Sequence, residues 1–123
     1  MVLSAPLSAA TRRLADDGFF RAMKAGSVLV NVGRGPLVNE AHLLAALGRG
    51  LPTHAVLDVF ESEPLASDSP LWGHSRVSLT AHTASETDAV DTRNAALFLD
   101  NLHRYSTGKP LLNLADPLDV LDG

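Results

Sequence analysis

Val28-Leu29-Val30-Asn31-Val32-Gly33-Arg34-Gly35-Pro36-Leu37-Val38 is the stretch on which the reading of this chain turns. Its first part is a buried apolar strand, taken as Ser27 to Val32, which breaks into a Gly-Arg-Gly turn. In open α/β sheets, ligands bind beyond the carboxyl ends of the strands. An arginine fixed at that place offers a planar fork of donors matched to a carboxylate or phosphate. Taken alone, an arginine in a turn is a solvated residue. Its position just past an apolar strand makes Arg34 a candidate anion ligand.

Working outward, the pattern repeats. Strand-like runs at Met1 to Ser4, His54 to Val59 and Arg76 to Thr80 alternate with helix-like segments. Dense Val, Leu and Ala in the later runs suit parallel strands covered on both faces. Between the first two strands, Asp16-Asp17 leads and Lys24 closes a short segment, a polarity that suits the helix dipole, and Gly26 stops it. Asn39 caps the next helix, which runs through Leu43, Leu44, Ala46 and Leu47 to Gly48. After the last strand, Ser85 followed by Asp88 predicts the start of a long helix ending at Gly108-Lys109-Pro110. Its apolar positions Val90, Leu97, Phe98 and Leu102 predict a stripe turned toward the core. Beyond Pro110 the leucines predict an extended arm. Strands alternating with helices imply βαβ units, so the expected fold class is α/β with a parallel, Rossmann-type sheet of about four strands.

Composition narrows the functional classes. The 123 residues are 46% hydrophobic and 20% charged, with a net charge of −4, which describes one soluble globular domain. The ten basic residues are scattered, so a nucleic-acid partner is not expected. With no cysteine there is no disulfide framework or thiolate metal site, and the histidines lack metal-ligand spacing. No apolar run approaches the ~18 residues of a membrane span. The first residues lack a signal peptide's pattern, and a cytoplasmic location is expected.

Two further strand ends carry chemistry. Asp58-Val59-Phe60-Glu61-Ser62-Glu63-Pro64 places acids after the third strand, and His82 follows Leu79-Thr80-Ala81 after the fourth. Singly, these are ordinary turn and surface residues. Together with Arg34 they fall at one end of successive parallel strands, and a carboxylate beside a histidine favours the imidazolium needed for general acid catalysis. Neither glycine pair, Gly33/Gly35 nor Gly48/Gly50, completes a dinucleotide fingerprint, since Val38 and Thr53 stand where its third glycine belongs.

The motifs in order resemble the second half of the nucleotide-binding domain of the D-isomer-specific 2-hydroxyacid dehydrogenases. They are Leu3-Ser4-Ala5-Pro6-Leu7 with Thr11, Asn31-Val32-Gly33-Arg34-Gly35, and Glu40-x-x-Leu43-x-x-Ala46-Leu47. Asp58 to Leu65, Pro70-Leu71-Trp72, Thr80-Ala81-His82 and Gly108-Lys109-Pro110-Leu111 complete the series. The Ser-Pro-Leu-Trp run is most similar to the glyoxylate/hydroxypyruvate reductase branch. The resemblance implies a hydride transfer between NAD or NADP and a small 2-oxo or 2-hydroxy acid. It gives Arg34 the substrate carboxylate and keto oxygen, His82 the proton and Glu63 the task of holding His82 protonated. It gives Ala5, Pro6, Val32, Gly33, Asp58 and Ala84 to the cofactor path. Formate dehydrogenases of the superfamily carry glutamine at the place of Glu63, so a hydroxyacid or oxoacid is the implied substrate.

The sequence departs from the family at three points. Ala81 replaces the usual proline before the histidine, and Thr83-Ala84-Ser85 follows it where two glycines are common. Residues 1–123 contain no substrate domain, glycine-rich fingerprint or residue selecting NAD over NADP. They therefore correspond to the C-terminal part of a nucleotide-binding domain, with an apolar edge expected along Met1 to Ser4. That edge implies self-association or a complementary N-terminal half, and little activity by the chain alone. The alternative expectation is a non-catalytic remnant or oligomeric binding module on the same fold.

Overall fold

The computed structural model describes residues 1–87 and 89–115. Four strands form one sheet in the order β1 (Val2–Leu3), β2 (Val28–Asn31), β3 (His54–Leu57) and β4 (Val77–Leu79). All neighbours are parallel, with Leu3 opposite Asn31, Asn31 opposite Leu57, and Leu57 opposite Leu79. The α/β class and the strand positions agree with the sequence reading. The register aligns the carboxyl ends of all four strands, which gathers the loops that follow them at one edge of the sheet.

Helices α1 (Asp17–Arg21) and α2 (Glu40–Arg49) form the first two crossovers. Each begins where a side-chain acceptor meets an orphan amide: Phe19 N–H donates to Asp16 Oδ1 at 2.9 Å and His42 N–H to Asn39 Oδ1 at 3.0 Å. The α2 helix runs past Gly48 and ends at Gly50, whose φ of +81° supplies the left-handed cap. Asp17 accepts from both Arg21 and Arg49 at 2.7 Å, tying the two helices together on their solvent side. Beneath them, Phe20, Leu29, Leu37, Leu43, Leu47 and Leu57 are fully enclosed in one apolar core.

Several expectations are corrected, the first being the end of α1, which stops at Arg21 with Ala22 as its cap, short of Gly26. The sheet is sealed on one face only: Leu29, Asn31, Ala55 and Leu57 are buried, whereas their alternate neighbours Val28, Val30, His54 and Val56 stay partly open. The β3–β4 connection forms no helix, because Pro64, Pro70 and Gly73 interrupt any helical run within it. The long helix α3 (Val90–Ser106) exists, but its apolar stripe faces solvent. Phe98 is 67% exposed and Leu102 53%, and no α3 residue is buried. Its N-cap position is Ala89 with no side-chain cap, so Ser85 does not start it; Asp88 lies outside the described residues. The segment after Pro110 folds back on α3, where Asn101 exchanges hydrogen bonds with the Leu112 backbone at 2.8 and 3.2 Å.

Among the described residues no helix is long and apolar enough to cross a membrane. The caps give a direct test. Asn39→Ala should lower stability by about 1 kcal/mol in urea denaturation, while Ser85→Ala should stay within about 0.5 kcal/mol of wild type. A loss at Ser85 matching that at Asn39 would contradict the observed helix start.

Candidate active site

The turn after β2 is built by its neighbours. Asn31, almost fully buried at the strand end, accepts from Gly33 N–H at 3.2 Å and donates from Nδ2 to Arg34 O at 3.1 Å. A side chain on Gly33 would press on Leu37 and on the Ala5 carbonyl, both within 2.9 Å of its would-be Cβ. Gly33 therefore lets the loop after β1 lie directly against the loop after β2. At Gly35 the approach is closer: a Cβ would fall 1.7 Å from the Phe60 oxygen, so only glycine lets this turn meet the loop after β3. Arg34 itself is exposed. Its Nη1 donates to Gly33 O at 2.8 Å, and it has no acidic partner among the described residues.

Asp58 is buried just past β3. Its Oδ1 accepts from Thr80 Oγ1 at 2.5 Å and Thr83 N–H at 2.9 Å, and its Oδ2 from Ala84 N–H at 2.9 Å. The Asp58 carbonyl also accepts from His82 N–H at 2.9 Å. Burial alone pushes this carboxyl up. The bonds from Thr80, Ala84 and Thr83, with His82 nearby, outweigh burial and hold it below the usual carboxylate range. These contacts shape the Thr80–Ala84 turn and keep His82 in a left-handed backbone with φ +56°. That conformation costs a non-glycine residue about 1–3 kcal/mol, so it persists only when surroundings impose it.

Glu63 and His82 meet. Glu63 Oε1 accepts from Phe60 N–H at 3.0 Å, and Oε2 lies 2.8 Å from His82 Nδ1. The Phe60 amide, then His82, lower the Glu63 carboxyl against the opposing effect of burial. An ionised carboxylate has no proton to give, so Nδ1 carries the hydrogen of this bond and Nε2 is the ring atom left to exchange one. Beside the pair opens a cavity of about 410 Å³, walled by Pro64, Leu65, Trp72 and Leu79.

The structure thus brings His82, Glu63 and Asp58 into one network and sets the Arg34 turn against the same loop. Ala5 packs at Gly33, Ala84 binds Asp58, and Pro6 and Val32 stand exposed at the same sheet edge. Three of the other histidines do local work: His42 accepts from Asp17 N–H, His54 pairs with Ser78, and His74 accepts from Arg76 N–H. No cluster of metal-binding side chains occurs among the described residues. Sequence reasoning missed the roles of Asn31, Thr80 and Thr83. The signal for Asn31 was visible, as a lone amide ending an apolar strand before a glycine.

Against known proteins, the profile of the family described as D-isomer specific 2-hydroxyacid dehydrogenase, NAD binding domain, matches residues 1–84. Glyoxylate/hydroxypyruvate reductase B of Salmonella newport is 42% identical over 112 residues, covering 91% of this chain and 35% of that protein. An uncharacterised protein of the proB 3′ region of Corynebacterium melassecola is 38% identical over 122 residues, covering 99% of this chain and 39% of that one. The chain thus spans between a third and two-fifths of the length of these curated relatives. Among solved structures, a D-isomer specific 2-hydroxyacid dehydrogenase of Xanthobacter autotrophicus in complex with NADPH superposes with TM-score 0.86 at 40% identity, over 94% of this chain and 47% of that one. An NADPH-dependent glyoxylate/hydroxypyruvate reductase of Sinorhizobium meliloti gives TM-score 0.84 at 31% identity, over 94% and 37%.

The Asp58 network sets a pH response. A carboxyl depressed on folding contributes stability that is fully present above its unfolded value of about 4 and is lost as pH falls through the folded value. Urea midpoints should therefore hold above about pH 5 and fall in more acidic buffer. Asp58→Asn should flatten part of that fall and cost about 1–3 kcal/mol at neutral pH, since an amide nitrogen faces backbone donors. A variant as stable as wild type at neutral pH would refute the clamp.

Proposed function

Because this chain belongs to the D-isomer-specific 2-hydroxyacid dehydrogenases, within their NAD-binding domain, we propose that it carries the proton-transfer and anion-binding side of a hydride transfer to a small 2-oxo acid. The observation that carries the reading is the 2.8 Å pair of Glu63 and His82 at the sheet's carboxyl edge, next to a turn holding Arg34, which has no acidic partner among the described residues. The best-matched substrate class is glyoxylate- and hydroxypyruvate-like, in keeping with the reductase relatives.

The residues at the edge fit a nucleotide cofactor, NAD or NADP. Pro6 and Val32 expose apolar surface there, beside the Ala5 carbonyl, a setting suited to flat rings with a polar rim. Gly33, Asp58 and Ala84 complete this wall, with Asp58 acting through the turn it shapes. When bound, the reduced nicotinamide supplies the hydride to the carbonyl carbon. Arg34 holds the substrate carboxylate with its forked donors and orients the keto oxygen. His82 gives the Nε2 proton to that oxygen as charge develops on it, and recovers one in the reverse direction. Glu63 fixes the ring through Nδ1 and offsets the positive charge on the imidazolium. The Asp58 network keeps His82 from turning away.

The test follows loss of reduced nicotinamide absorbance with glyoxylate or hydroxypyruvate. It uses the chain alone and mixed with a polypeptide that carries the fingerprint half of a relative. The 123 residues contain no Gly-x-Gly-x-x-Gly, so turnover is expected in the mixture and little from the chain alone. His82→Ala should lower it about 10²–10⁴-fold, and Arg34→Gln should act chiefly through KM. Turnover in the mixture that survives His82→Ala would overturn the assignment. Silence from a folded, self-associating chain would favour a binding module instead.

A further inference from the structure

Glu40 is the first residue of α2 and sits partly buried against the loop after β3. Its Oε1 accepts from Glu61 N–H at 2.7 Å, a bond spanning 21 positions of chain. That arrangement has a cost. Burial raises the Glu40 carboxyl, the Glu61 amide opposes this, and the Glu61 charge adds to it. A first-turn acid serving only the helix dipole has no need of burial or of an acidic neighbour. The Glu61 peptide is next to Phe60, whose amide holds Glu63 Oε1 at 3.0 Å, and Glu63 in turn holds His82. The same loop is braced from the other side by Gly35, which lies flush on the Phe60 carbonyl.

We propose that Glu40 is a positioning residue for the Glu63–His82 pair, acting through the Glu61 peptide. The inference rests on the reading of that pair given above and extends it to the start of α2. Glu40 fixes the Phe60–Glu63 turn, and the turn presents the carboxylate to the imidazole at bonding distance. Reach is therefore essential and charge is not.

Two conservative variants separate these properties. Glu40→Asp keeps the charge and the helix-dipole role but is one methylene short of the Glu61 amide. Glu40→Gln keeps an oxygen at full reach and removes the charge. The readout is the side-chain carboxyl of Glu63, followed by carbon NMR through an acid titration of the chain; His82 and Asp58 are the titratable groups facing it. Glu40→Asp should loosen the turn and let Glu63 titrate about 0.5–1 unit higher, toward an ordinary glutamate, while Glu40→Gln leaves it unmoved. A Glu63 titration unchanged in Glu40→Asp overturns the proposal, and a shift confined to Glu40→Gln would make charge the agent; an equal shift in both variants also overturns it, because an oxygen at full reach would then not hold the turn. His82→Ala serves as the independent check: it removes one of the two bonds to Glu63 and should raise its titration whatever happens at Glu40. If it does not, the Glu63–His82 pair fails as assigned, and the Glu40 variants still decide whether Glu40 sets the turn.

Discussion

The Asp58 carboxylate is buried beyond the end of β3 and has to be satisfied there, and the rest of the site follows from how that is done. A carboxylate accepts about four hydrogen bonds, and a bare one in a protein interior is too costly to persist. Here the donors come from one short piece of chain, the hydroxyl of Thr80 and the amides of Thr83 and Ala84. Drawing them onto one group curls the chain after β4 into a tight turn. The middle of that turn is His82, held in a backbone geometry it would not adopt alone. An electrostatic debt in the sheet is thereby converted into a fixed place for an imidazole.

The two remaining loops obey a steric rule rather than an electrostatic one. Gly33 and Gly35 stand where the loops after β1 and β3 touch the turn after β2, and any side chain at either would separate the layers. Arg34 lies between them, so the cation is positioned by its neighbours' lack of side chains. Arg34 and the loop that carries Glu63 are thus held in register by backbone contact, with few long side chains involved. An arrangement of this kind tolerates little movement.

Much of the architecture was legible in the sequence. Apolar runs and the caps Asp16 and Asn39 at helix starts are local signals, and the structure honours them; the helix ends are shifted, since α1 stops at Arg21 short of Gly26 and α2 runs past Gly48 to Gly50. What else failed was non-local. The pattern of α3 correctly shows an apolar face at Phe98 and Leu102, but periodicity says nothing about what covers it. Asp58 reads as an acid at a strand end. Its partners at 83 and 84 are backbone amides, which every residue but proline possesses, so no sequence pattern could mark them. Glu63 and His82 are 19 positions apart, and only the succession of motifs suggested that they meet.

The bare face of α3 has a consequence for how this chain comes apart. A helix of 17 residues with nothing buried is near the limit at which isolated helices survive in water, and its hydrogen bonds are not tied to the melting of the sheet. Heat or denaturant therefore acts on two units of unequal strength. Ellipticity at helical wavelengths, which α3 dominates, fades over a broad range, whereas the signal from core packing is lost in one sharp step. The two curves do not coincide, and a single unfolding free energy drawn from either describes only part of the molecule.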